Sequence, residues 1–301
     1  MERKISKADF KLVRQNFDIS EKLATKPLNR SKEFYYALIA NKYVLSGIII
    51  FLTILMCALI FPLIWNEGAL IKPSQQNQGI FKNGYILGTD TQGRKMWDLL
   101  WQATRYSLGL GFVVSLVNLI IGLTLGLLMG YYSKFDRAMQ FLIKILTTIP
   151  SIIILIIVAT IVQPSFWTIL LGLVITGWIN LSLQVRAQVL KNKQLDYFIA
   201  SRILGTPWYK QILNFIPIVI PIVIAVVAIS IPLVILLEAS LAFIGISIPG
   251  AISLGNMIFK ARTIALVFPY QIIIPVVMLI LITISLQLFG NGLQDVIRKS
   301  Q

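Results

Sequence analysis

Side chains with catalytic potential are scarce in this chain of 301 residues. It has no histidine, one cysteine and 12 Asp+Glu. Without histidine, neither a Ser-His-Asp relay nor a Cys/His zinc site can be assembled. Cys57 stands in an apolar run with no second cysteine, which excludes an intramolecular disulfide. The sequence contains no G-x-x-x-x-G-K-[ST] phosphate loop, no H-E-x-x-H helix and no carboxylate pair in a plausible cleft. It reads as a non-enzyme. Two charges interrupt long apolar runs. Lys144 lies one turn inside its run, close enough to an interface to snorkel out. Glu238 ends one apolar run just before another at 241–248, and a carboxylate there must meet water, a cation or donors. Its two readings are a structural group at an outer rim and a group facing a pathway.

The elements that carry these residues follow from composition. Hydrophobic residues make up 57% of the chain and charged residues 13%, against about 45–50% and about 25% in soluble domains. A soluble fold could not hide so much apolar surface, and disorder is excluded by the same numbers. Runs of about 18 apolar residues mark membrane-spanning helices. Six are read, at 43–65, 106–132, 139–162, 166–185, 214–237 and 270–290. The first begins after a polar segment and lacks a small-residue cleavage site, so it is read as a retained anchor.

The basic residues orient the spans. Of 27 Lys+Arg, ten fall in 1–42, three in 133–144, five in 186–213 and two in 291–301; five fall in 66–105 and two in 238–269. An excess of 20 against seven predicts both termini in the cytoplasm. The net charge of +15 is thereby explained without nucleic acid, for which no basic soluble domain exists. The expected organisation is a cytoplasmic tail over 1–42, a first span over 43–65, an outer loop over 66–104, a five-span core over 105–295 and a cytoplasmic end over 296–301.

Gly122, Gly126 and Gly130 put three bare backbone patches on one face of the second span, suited to close packing within the chain or to a moving gate helix. Prolines 150, 217, 221 and 232 are expected to kink their helices. The outer segment 71–101 is too polar for lipid and too long for a turn. It reads as a loop folded over the outer mouth, or as a surface that also receives a partner through Asp90, Gly93 and Arg94. The cytoplasmic connection 186–213 contains two short helical stretches flanking Gly205, with Thr206 suited to an N-cap and Pro207 to a first turn. Such an amphipathic segment can lie in headgroups or dock in a partner's groove.

The stretch from Asp196 through Ala200 and Ser201 to Gly205 resembles the "EAA" loop of bacterial ABC-importer permeases, whose pattern is E-A-A, three residues, then Gly. Ile199 stands at the acidic position and Ser201 at the second Ala. Four other stretches resemble the second permease of the oligopeptide/dipeptide and nickel branch. They are Leu87-Gly-Thr-Asp90-Thr-Gln-Gly93-Arg94, Arg105-Tyr-Ser-Leu, Glu238-Ala-Ser-Leu-Ala-Phe-Ile-Gly245 with Ser253-Leu-Gly-Asn256-Met, and Gly290-Asn-Gly-Leu-Gln-Asp295. Pro217 lies twelve residues beyond Gly205, where the family usually has thirteen, and the family's Asp-Pro-Arg ending is absent.

The resemblance implies an all-α membrane protein of the type I ABC-importer permease fold, multi-pass in a bacterial plasma membrane and surrounded by membrane lipid. It implies a second homologous permease, two cytoplasmic ATPase subunits that bind ATP-Mg, and an extracellular peptide-binding lipoprotein delivering oligopeptide cargo. No cofactor would be held by this chain. Residues 194–212 would be the coupling helix, with Asp196, Ala200, Ser201, Gly205, Thr206 and Pro207 at the ATPase, and Asp90, Gly93 and Arg94 would meet the binding protein. Two alternatives are an importer of nickel or a metal–chelator complex, and a stand-alone channel or secondary carrier. The latter needs an ion site or selectivity filter that the spans do not display.

Overall fold

The computed structural model describes residues 36–64 and 70–300. The expected tail lies outside the described residues except for 36–42, as do 65–69 of the outer loop and Gln301. Helix α1, Lys42–Ile64, starts where the Asn41 side chain accepts from the Tyr43 backbone N–H at 3.0 Å. Helix α2, Met96–Tyr131, has 36 residues, about 54 Å at 1.5 Å per residue. That exceeds the roughly 30 Å hydrocarbon layer. It begins ten residues before the expected span because Met96, Leu99, Leu100 and Ala103 already form a buried face, although Trp97, Asp98 and Gln102 between them lower the local hydropathy.

The expected third span is broken. Helices α3, Ser133–Thr148, and α4, Ser151–Val162, meet at an angle of 81° across Ile149-Pro150, where Pro150 cannot donate to the helical ladder. Helix α3 is amphipathic, and the 12 residues of α4 span only about 18 Å. Among the described residues, five helices are individually long and apolar enough to cross a membrane, six if this bent pair counts as one span.

Helix α5, Phe166–Asn192, opens on a Ser165 hydroxyl that accepts from the Thr168 N–H at 3.2 Å. Two short helices follow, α6 (Asp196–Ile203) and α7 (Trp208–Leu213). Helix α8, Ile216–Phe243, takes Pro217 in its first turn, where no ladder bond is lost; it runs unbroken through Pro221 and Pro232. Helix α9, Leu254–Ala261, lies before the last span, α10, Tyr270–Ser300. Helices α5, α8 and α10 all outrun their expected spans, because hydropathy marks only the lipid-buried part of a helix.

The glycine face of α2 packs on α5. A Cβ at Gly122 would stand 3.0 Å from the Trp178 carbonyl, at Gly126 2.7 Å from the Ser182 carbonyl, and at Gly130 2.4 Å from the Val189 Cβ. Of the two readings of this stripe, the structure shows packing within the chain. At the other end of α2, Trp97, Trp101 and Phe61 form a ring cluster with centroids 5.2–5.7 Å apart, continuous with the apolar core between α1, α2, α8, α9 and α10.

Candidate functional site

Helix α6 has only eight residues, too few to hold its shape alone in water. Phe198 fixes it. That ring is 4% exposed and stacks on Phe215 with centroids 4.0 Å apart, within a cluster that includes Val185, Val189, Ile212 and Val219. The helix ends in a Schellman turn: the Thr206 N–H donates to the Ser201 carbonyl at 3.2 Å and the Gly205 N–H to the Arg202 carbonyl at 3.1 Å. Gly205 sits at the left-handed position, φ +73°, and a Cβ there would meet nothing within 4 Å. Its role within this chain is the sharp turn, not a close approach.

The expected Thr206 cap is not made. The Ser201 hydroxyl donates to the Thr206 hydroxyl at 3.0 Å, and Pro207, not Thr206, is the N-cap of α7. The Thr206 carbonyl instead accepts from the Gln211 amide at 2.6 Å, and the Gln211 oxygen accepts from the Tyr131 hydroxyl at 3.0 Å. The Tyr131 carbonyl accepts from the Lys193 ammonium at 2.7 Å. Burial first, and then Arg202, lower the pKa of Lys193. A chain of polar contacts thus ties the loop between α6 and α7 to the ends of α2 and α5. Nearby, Arg186 on α5 grips Asp136 on α3 with two bonds of 2.5 and 2.7 Å.

The outward surface of this segment carries many large apolar side chains among the exposed charges Asp196, Arg202 and Lys210. Tyr197, Ile199, Ile203, Leu204, Trp208 and Leu213 are all at least 48% exposed, Leu204 reaching 84%. Ala200 is exposed among them, and Asp196 is exposed in the first turn of α6, where the helix dipole favours an anion. The structure therefore brings five of the six predicted coupling residues together around one turn, with Asp196 at the far end of α6.

At the opposite end of α2, the outer segment folds on itself. Asp90 accepts from the backbone N–H of Gln92 and of Arg94 at 2.9 and 2.8 Å, and from the Arg94 guanidinium at 2.8 and 2.6 Å. Both side chains are buried. Gly93 takes φ +75°, and a Cβ there would lie 1.9 Å from the Lys72 carbonyl. The segment is anchored to α10: the Tyr270 hydroxyl donates to the Gln78 carbonyl at 2.8 Å, and the Gln271 amide to the Thr89 carbonyl at 3.0 Å. Lys260 stands beside the pair, its ammonium pKa lowered by burial and by Arg94, with Asp90 opposing. Asp90, Gly93 and Arg94 are thus the internal knot of the loop, while Ile80, Phe81 and Ile86 are exposed on it.

Glu238 is buried near the end of α8, beside Ser253, the N-cap of α9. Its Oε2 and the hydroxyl of neighbouring Tyr106 on α2 have no hydrogen-bond partner. The carboxylate faces the packing between α2, α8 and α9. It is absent from the walls of the main cavity, where its neighbour Leu237 stands instead.

That cavity, of about 480 Å³, opens among α2, α3, α4, α5 and α8. Sequence reading missed its polar lining of Ser115, Asn118, Thr147, Thr176, Asn180 and Ser230, because each lies isolated in a run whose average hydropathy is high.

Residues 99–301 match the family described as the binding-protein-dependent transport system inner membrane component. The oligopeptide transport system permease protein AmiD of Streptococcus pneumoniae is 27% identical over 97% of this chain and 96% of its own length. OppC, the oligopeptide transport system permease protein of Bacillus subtilis, is 26% identical with the same coverage. The dipeptide transport system permease protein DppC of Haemophilus influenzae is 28% identical over 89% of this chain and 94% of its own. Among solved structures, a chain of the MetNI methionine ABC transporter, inward facing, shares the fold with a TM-score of 0.54 at 20% identity, covering 68% of this chain and 97% of that one. This chain therefore belongs to the binding-protein-dependent transport system inner membrane component family, as a multi-pass permease subunit of an ABC importer in a bacterial plasma membrane.

Proposed function

We propose that this chain and a second, homologous permease form the pathway by which oligopeptides enter the cell. Two cytoplasmic ATPases holding ATP-Mg drive the pair, and an extracellular peptide-binding lipoprotein supplies it. The observation that carries this reading is that oligopeptide-transport permeases align along nearly the whole chain. The exposed apolar surface of 196–213 supports it at the ATPase end. It is a docking face held to the bundle by Phe198 and by the Gln211 link, so a partner seated there pulls on α2 and α5 together. No catalytic residue is assigned to the chain. Asp90, Gly93 and Arg94 act on the binding protein by shaping the outer loop, and Glu238 packs where α8 meets α9.

The test is uptake in a strain lacking this gene. Labelled tri- to pentapeptide uptake should vanish and return on complementation, while nickel accumulation stays unchanged. Loss of nickel uptake with intact peptide uptake would overturn the cargo assignment. Orientation is tested in a Cys57→Ser background with single cysteines at Gln76 and Gln194, both exposed positions. An impermeant thiol reagent should label the first from outside and the second only from inside; outside labelling of both would refute the topology.

A further inference from the structure

The main cavity sits at mid-depth. Asn118 is 13 residues from the Tyr131 end of α2 and Ser230 is 14 from the Ile216 end of α8, so both lie about 20 Å along their helices. None of its lining residues is charged. Asn118 is 4% exposed and lines the cavity, and its Oδ1 has no hydrogen-bond partner among the described residues. A buried carboxamide oxygen left this way loses stability unless something donates to it. Its place is enforced by Gly177 on α5, since a Cβ there would stand 2.2 Å from the Asn118 Nδ2.

The Ser230 and Thr147 hydroxyls donate mainly within their own helices, with Ser230 also 3.4 Å from the Ser115 hydroxyl on α2. Ser230 donates to the Val227 carbonyl at 2.8 Å, and Thr147 to the Ile143 carbonyl at 2.8 Å. Asn180 Oδ1 takes only a long 3.3 Å bond from Gln184. What these groups turn to the cavity is therefore hydrogen-bonding capacity without charge: the Asn118 oxygen and the hydroxyl oxygens accept, and the Asn118 and Asn180 amide nitrogens donate.

We infer that the cavity is a peptide-backbone subsite in which Asn118 Oδ1, helped by the Ser230 and Thr147 hydroxyls, accepts hydrogen bonds from main-chain N–H groups of the passing peptide. The inference rests on the peptide-import reading and deepens it. Neutral acceptors meet the one donor that every peptide bond repeats, whatever its side chains, and no fixed charge holds the cargo once it has entered. Side-chain preference is thereby left to the protein that delivers the peptide.

The test uses the complete transporter reconstituted in vesicles. A tetrapeptide and its analogue N-methylated at two central amides are each presented already bound to the binding protein. Wild type should import the plain peptide faster. Asn118→Leu, which keeps the bulk and removes the acceptor, should lower plain-peptide uptake about fivefold, the scale of one lost buried hydrogen bond. It should also shrink the difference between plain and methylated peptide. Ser230→Ala, a smaller change, should move both readouts the same way. An unchanged plain-to-methylated ratio in both variants would overturn the inference while leaving peptide import standing. Failure of wild type to import either peptide would overturn the import reading, and this inference with it.

Discussion

Phe198→Ala is the perturbation whose size the structure defines best. The ring is 4% exposed, stacks on Phe215 and fills a slot between α5, α7 and α8. Buried Phe→Ala truncations cost about 3–5 kcal/mol, lost transfer energy and cavity together. The slot is built by the connection between α5 and α8 and the helix ends that flank it. Even about 3 kcal/mol shifts the balance between docked and undocked α6 more than a hundredfold. An eight-residue helix released from its packing also unfolds. In the assembled transporter, hydrogen exchange at the amides of 196–204 should accelerate by at least tenfold, with exchange in α2 unchanged. Peptide uptake should fall while the ATPase subunits retain basal hydrolysis. Phe198→Leu, which refills part of the slot, should fall between. Wild-type exchange and uptake within twofold in Phe198→Ala would refute the view that one side chain anchors the segment.

At Gly205, the open surroundings and φ of +73° predict that Gly205→Val strains the turn more than Gly205→Asp, by about 1 kcal/mol. Both, like Ala200→Glu on the exposed face, should leave the protein in the membrane and cut uptake, which a vesicle assay reads directly. Along α2, Gly130→Leu should lower the melting temperature in detergent sharply because its Cβ would collide with Val189. Gly109→Ala, with nothing within 4 Å, should leave it within a degree or two. In the outer loop, Arg94→Ala leaves the buried Asp90 carboxylate short of its guanidinium, a loss of about 3–5 kcal/mol when a buried pair is broken. Limited proteolysis within 70–95 should quicken, and stimulation by the binding protein should weaken with basal ATP hydrolysis intact.

The apolar spans, the break at Pro150 and the small-residue face of α2 were legible because each is a local property: an average, a missing donor, a spacing of four. The left-handed turn at Gly205 was legible for the same reason. The true length of α2 was not, since its first ten residues mix Trp97, Asp98 and Gln102 with a buried face that only the α9 and α10 contacts reveal. Phe198 was hidden beside the exposed Tyr197, and its partner Phe215 lies beyond the next helix. The pairing of Asp90 with Arg94 left a local trace, an Asp followed by Gly93 and a basic residue, but its burial depends on Tyr270 and Gln271 far along the chain. Asn118, Asn180 and Ser230 come from three helices and meet only in the folded bundle.

These placements also bear on why the spans need no charged relay. Helix α2 starts directly after the Asp90–Arg94 knot and ends at Tyr131, which Gln211 ties to the loop between α6 and α7. Between those ends, three glycines bring its backbone against α5, so closely at Gly126 and Gly130 that a single methyl group would not fit. Two helices packed to that tolerance slide poorly and tilt as one body, because close-packed interiors transmit displacement with little compression. Under the proposed docking, a partner that shifted 196–213 would move the α2–α5 pair as a lever about 54 Å long, reaching from that segment past Asn118 to the outer loop. Transport energy delivered this way is mechanical, and the mid-depth cavity can remain uncharged.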